Sequence, residues 1–266
     1  MTDKLTESEI ETFAIELFER LGYQYIYAPS IAPDSDTLER ERFEDVLLLD
    51  RLRTAVARIN PAIPFDVREE AIKQIQRLNS PELIANNEAF HRMLTEGIKV
   101  TYQHRGHERG DLVWLVDFEK PDNNEFIVAN QFTVIGQNTN QGHQNKRPDV
   151  ILFVNGLPLV VIELKNAADE NATIKSAYLQ LQTYKDVIPG LFTYNSMLII
   201  SDGLEAKVGS LSAGLSRFMA WKTADGKLEA SKLISQMETL IKGIVKGHNR
   251  RQQRQCQGIN ATRSIA

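Results

Sequence analysis

Asp149, Glu163 and Lys165 have the types and spacing to do chemistry, within KRPDVILFVNGLPLVVIELKN, residues 146–166. Asp149 opens one apolar run, Asn155-Gly156 is a hairpin signal, and a second apolar run delivers Glu163 and Lys165. Side chains alternate along a strand, so Glu163 and Lys165 share a face and Leu164 takes the other. A two-residue loop at Asn155-Gly156 pairs Asp149 with residue 162, on the wrong face; a three-residue loop or one bulge pairs it with Glu163. In that second register, two carboxylates at a strand end are oxygen ligands for Mg2+. Such an ion polarises a phosphodiester oxygen and acidifies a bound water. A neighbouring ammonium stabilises charge building on the phosphorane, or orients the water. Glu-x-Lys alone is most often a surface ion pair. The Pro-Asp one hairpin upstream and the apolar strands between set this one apart.

A second pair follows in SAYLQLQTYKD. Gln180 and Tyr184 lie four apart on an expected helix, hence on one face. They flank its apolar stripe of Ile174, Ala177, Tyr178, Leu181 and Ile188, from where they can reach a metal-bound water, a phosphate or Lys165.

The elements that must position these residues divide the chain near residue 100. Before it, helical periodicity runs from Ile10 to Leu21, from Glu44 to Ile59, from Asp66 to Leu78 and from Pro81 to Thr95. Thr6 and Glu9 have the spacing of a capping box at the first of these. After it, Leu112–Phe118, Phe126–Val134, Val150–Val154, Leu159–Leu164 and Met197–Ser201 read as strands, and a last helical pattern covers Glu229 to Lys246. The fold class expected is α/β: a mixed central sheet flanked by helices, plus a helical N-terminal portion.

Composition excludes several classes. With 42% hydrophobic and 25% charged residues the chain reads as an ordinary globular protein, and a net charge of -4 gives no global attraction to nucleic acid. One cysteine, Cys256, permits no internal disulfide, and no Cys/His zinc spacing occurs. No run is apolar enough to span a bilayer, and the acidic N-terminus lacks a signal-peptide pattern, so no membrane association and a cytoplasmic location are expected. His104 and His107 in YQHRGHERG do not match metal spacing and read as part of a turn; Asp202-Gly203 likewise reads as a turn, and Trp114 and Trp221 as core. The amide-rich loop 136–148, with His143, is a candidate for tracking a DNA backbone. After Glu238 the chain carries six Lys or Arg and no acidic residue: Lys242, Lys246, Arg250, Arg251, Arg254 and Arg263.

The order and spacing of RPD, IELKN and QLQTY resemble the RecB-like branch of the PD-(D/E)xK nucleases. LGYQY, NNEAFHRML, NQFTVIG, ADENATI, MLIISDG and EAKVGSL extend the resemblance to the N-terminal region of the restriction subunit of type I restriction-modification enzymes, over nearly the whole chain to about residue 245. The resemblance implies a restriction-endonuclease-like core with Asp149, Glu163 and Lys165 as catalytic triplet, Asp149 and Glu163 holding Mg2+, and Gln180 and Tyr184 supporting cleavage. It implies a type I site-specific deoxyribonuclease cutting double-stranded DNA, partnered by modification and specificity subunits, the latter reading the DNA sequence. An additional N-terminal helical acid occurs in such folds; Glu9 and Glu11 are the candidates. Residues 1–228 are then the nuclease domain, mostly helical over 1–100 with an α/β catalytic core over 101–222, and 229–266 are a C-terminal helix and basic tail opening a linker to a motor region absent from this chain. No G-x-x-x-x-G-K-[ST] loop occurs, so ATP is expected to act only through that motor. Two other readings remain: a repair or recombination nuclease on the same core, and a truncated, non-enzymatic fragment that binds partner subunits or DNA.

Overall fold

Val150–Val154 and Leu157–Leu164 carry almost no polar residue, which is how strands read when helices cover both faces of a sheet. The structure is a computed structural model that describes residues 6–136, 144–166, 173–203, 205–224 and 235–249. In chain order it contains α1 (Glu7–Arg20), β1 (Gln24–Tyr27), α2 (Leu49–Ile59), α3 (Phe65–Gln76), α4 (Leu83–Glu96), β2 (Ile98–His104), β3 (His107–Val113), β4 (Phe126–Asn130), β5 (Val134–Ile135), β6 (Asn145–Lys146), β7 (Val150–Val154), β8 (Leu157–Leu164), α5 (Ile174–Val187), α6 (Pro189–Thr193), β9 (Met197–Ser201), β10 (Ala206–Gly209), β11 (Met219–Ala220) and α7 (Gln236–Asn249).

The central sheet has seven strands in the order β1-β4-β7-β8-β9-β10-β11. The β1/β4 and β8/β9 pairs are parallel and the other pairs antiparallel, so the sheet is mixed, as expected. Period-two alternation splits its side chains into two cores. Ile127, Ile151, Phe153, Val161, Leu198 and Ile200 pack with residues of α2 to α6. Val128, Val150, Leu152, Val160, Ile162 and Ile199 pack beneath α1 and α7. The last residues of β4, β8 and β9 and the first of β7 lie at one end of the sheet, because Asn130 pairs with Val150 and Leu164 with Ser201.

Thr6 and Glu9 form the capping box at α1, as their spacing predicts. Several boundaries differ from the sequence reading. The helix expected from Glu44 begins only at Leu49, because Asp45 folds back onto Arg42 and the Leu48 N–H donates to the Gly156 carbonyl. The strand expected over Leu112–Phe118 ends at Val113, because the Asn60 side chain bonds both the N–H and the carbonyl of Trp114, taking the place of a partner strand. Phe126–Val134 is interrupted after Asn130, where Gln131 has φ 58°. YQHRGHERG is more than a turn: it is the outer half of the two-stranded β2–β3 arm, reversing at Arg105-Gly106. Trp114 and Trp221 are half-buried, not core. The last helix runs from Gln236 to Asn249; the expected start near Glu229, the loop residues 137–143 with His143, and the tail beyond 249 lie outside the described residues.

Candidate active site

Register decides whether the two carboxylates can meet. The β7–β8 hairpin has a tight two-residue turn, with Asn155 at φ 54° and Gly156 at φ 80° and Val154 paired with Leu157. That turn alone would put Asp149 on the wrong face. A bulge corrects it: Phe153 opposes Pro158 but Leu152 opposes Val160, leaving Leu159 over. Proline has no N–H for a ladder, and bulges are where sheets accept it. Val150 then pairs with Ile162, and one further step places Asp149 opposite Glu163. Asn155 locks the turn from inside, accepting from the Glu125 N–H at 2.8 Å and donating to the Leu115 carbonyl at 2.9 Å.

The structure brings Asp149, Glu163 and Lys165 together at the sheet end, on the side covered by α5. Asp149 accepts from the Leu164 N–H at 2.6 Å through Oδ2. The Glu163 side chain is 0% exposed; Lys165 Nζ donates to its Oε1 at 2.8 Å. Its Oε2 is buried and makes no hydrogen bond of ordinary length, although the Tyr184 phenol interacts with this carboxylate, so the position can take a ligand. Burial pushes the Glu163 carboxyl up to about 8, helped by the charge of Asp149 and opposed by Lys165. Burial likewise pushes Asp149 up to about 6, opposed by the Leu164 N–H and by Lys165. For Lys165 burial favours the neutral amine, but pairing with Glu163 and the charge of Asp149 outweigh it, and its pKa rises. Two hard oxygen donors suit Mg2+, which keeps most of its positions for water and substrate oxygens. Among the described residues no three His, Cys, Asp or Glu side chains gather as a larger metal cluster.

Gln180 and Tyr184 reach the same region from α5. Gln180 donates to the Tyr184 hydroxyl at 2.6 Å, and that hydroxyl donates to the Arg147 carbonyl at 3.5 Å, on the segment that leads into Asp149. Tyr184 does not merely flank the apolar stripe; it is buried within the core. Burial raises its phenol pKa, and so do the nearby charges of Glu163 and Asp149.

Of the two α1 acids singled out by sequence, Glu9 is exposed and committed to the capping box. Glu11 faces the site end, accepting from Asn130 Nδ2 at 2.6 Å, and its charge raises Asp149. Glu7 was missed, and Lys165 Nζ donates to its Oε1 at 3.1 Å. Its signal was present, since Glu7 and Glu11 are four apart and share a helix face.

Both carboxyls hold protons in the folded state that an unfolded chain releases near 3.8 and 4.5. The stability this contributes is complete below those values and is lost as pH rises through about 6 and then about 8. In EDTA the melting temperature should therefore fall between these pH values, and Mg2+, taking the protons' place, should flatten the fall. Glu163→Gln, which carries no charge to bury, should be less pH-dependent than wild type. Equal slopes for the two proteins in EDTA would contradict the assignment.

The family described as the N terminus of type I restriction enzyme R proteins matches residues 4–217. The chain is 36% identical over 243 residues to the type I restriction enzyme HindI endonuclease subunit of Haemophilus influenzae, covering 91% of this chain and 23% of that one. It is 32% identical over 242 residues to a putative type I restriction enzyme MjaIXP endonuclease subunit of Methanocaldococcus jannaschii, covering 90% of this chain and 23% of that one. The chain thus spans about a quarter of the length of these curated relatives.

Proposed function

From the premise that this chain belongs to the family of type I restriction enzyme R protein N termini, we propose that it is the nuclease part of such an enzyme, cleaving double-stranded DNA with Mg2+. The observation that carries the reading is the wholly buried Glu163, its Oε2 without a hydrogen bond of ordinary length, beside Asp149 and Lys165. Mg2+ held by Asp149 and Glu163 would polarise a phosphodiester oxygen and acidify a water. Lys165 places a cation at the mouth of this carboxylate pair, where charge develops on the phosphoryl oxygens. The two raised carboxyls shed protons when the ion is taken up, so binding strengthens with pH. The Tyr184 hydroxyl, itself held by Gln180, bonds the Arg147 carbonyl and so steadies the approach of Asp149 to Glu163; the two are positioning residues.

The proposed domain spans residues 1–228, with 229–266 leading towards a motor region. ATP belongs to that motor, and modification and specificity subunits supply sequence recognition. No helix among the described residues is long and apolar enough to cross a membrane; a cytoplasmic location is part of the proposal. The test is nicking of supercoiled plasmid by the purified chain. Cleavage should appear with Mg2+, vanish in EDTA and show no sequence preference. Failure to nick at any Mg2+ concentration, or equal nicking in EDTA, would refute the reading.

A further inference from the structure

An ammonium group has three N–H donors, and in this structure Lys165 has committed all of them. Nζ donates to Glu163 Oε1 at 2.8 Å, to the Leu164 carbonyl at 3.0 Å and to Glu7 Oε1 at 3.1 Å. A phosphate oxygen entering from solvent finds no donor to spare, so one contact must give way. The three are not equivalent. Glu163 is 0% exposed and cannot follow the lysine outward. The Leu164 carbonyl belongs to the peptide just before Lys165. Glu7 is 50% exposed, makes the longest of the three contacts, and approaches from the first turn of α1. The capping box and the burial of Ile10, Ala14, Leu17 and Phe18 hold the α1 backbone, so the carboxylate alone is free to swing away.

We propose that Glu7 stands in for the substrate phosphate: it holds the Lys165 ammonium in the DNA-free protein and yields it to a phosphodiester oxygen when DNA binds. This rests on the nuclease reading of the site. Electrostatically the exchange replaces one carboxylate by one phosphate on the same cation. Lys165 therefore stays oriented before substrate arrives, at the cost of competition for DNA. Glu7 touches no reacting atom in this scheme; it is an exchange partner, and its removal should help binding.

The experiment is anisotropy of a short fluorescent duplex titrated with the chain in EDTA, where no cleavage occurs. Glu7→Gln should tighten binding about two- to fivefold, the size expected of a half-exposed ion pair. The slope of log affinity against log salt should stay that of wild type, because Lys165 meets a phosphate in both complexes and the same number of DNA counterions is displaced. In a Lys165→Ala background the gain from Glu7→Gln should shrink. If that background does not fold, Lys165→Met takes its place, removing the ammonium while keeping most of the apolar stem. Equal tightening with and without the Lys165 ammonium, or a slope that steepens by about one in Glu7→Gln, would overturn the proposal. Wild type that binds duplex while Glu7→Gln changes nothing leaves the nuclease reading standing and removes this proposal alone. No binding by either protein removes both.

Discussion

Lys165→Ala lowers Mg2+-dependent nicking by about a hundred- to a thousandfold, the range for deleting one preorganised charge stabiliser, and Asp149→Ala lowers it at least as far. Neither change should unfold the protein. Asp149 and Lys165 sit at the sheet end, outside the two apolar cores, and their contacts there are polar. Asp149→Ala shifts the melting temperature by no more than about 4 °C, roughly 1 kcal/mol for a domain of this size, whereas Lys165→Ala, which takes away the donor to the buried Glu163 Oε1, costs about 1–3 kcal/mol. Tyr184→Phe is the graded case: it loses the bonds to Gln180 and Arg147 but keeps the buried ring, and should slow cutting about fivefold, one hydrogen bond's worth. Plasmid nicking alongside thermal melting separates these outcomes. Undiminished cutting by Asp149→Ala or Lys165→Ala would end the assignment, as would loss of cutting explained by unfolding.

Gly156→Ala destabilises the fold by about 3 kcal/mol. Two costs combine. At φ 80° a side chain is strained by about 1 kcal/mol. The added Cβ would also lie 2.4 Å from the Leu48 carbonyl oxygen and 3.1 Å from the Leu52 N. Those are backbone atoms at the start of α2, and Leu48 is tied to the turn by its N–H to the Gly156 carbonyl at 3.0 Å. Neither side can retreat, so overpacking adds about 1–3 kcal/mol. Gly22→Ala is the control: φ is 96° but nothing lies within 4 Å of the new Cβ, so only the backbone cost of about 1 kcal/mol applies. Urea denaturation of both variants measures the difference. If Gly156→Ala costs no more than Gly22→Ala, the close approach of the hairpin turn to α2 is wrong, and with it this account of how the β7–β8 hairpin is anchored.

Much of this arrangement was legible in the chain itself. Glu163 and Lys165 share a face because strand periodicity is a property of the backbone, and the apolar runs around them announced a strand covered on both sides. The capping box of α1, the helix carrying Gln180 and Tyr184, and the strand Met197–Ser201 all follow from residues within a few positions of one another. Local sequence leaves two registers open for Asp149 and Glu163, although Pro158 marks the strand as a place for a bulge. Tertiary structure alone decided the rest. Trp114 leaves its strand because Asn60, 54 residues earlier, occupies its backbone. The largely polar strands of the β2–β3 arm form because they pair with each other, which no apolar alternation announces. Glu7 meets Lys165 across 158 residues because α1 lies on the face opposite α5 and its first turn overhangs the sheet end. Local periodicity is written in neighbouring side chains, whereas these contacts depend on which elements pack together and at what height, and that is settled only when both faces of the sheet are covered.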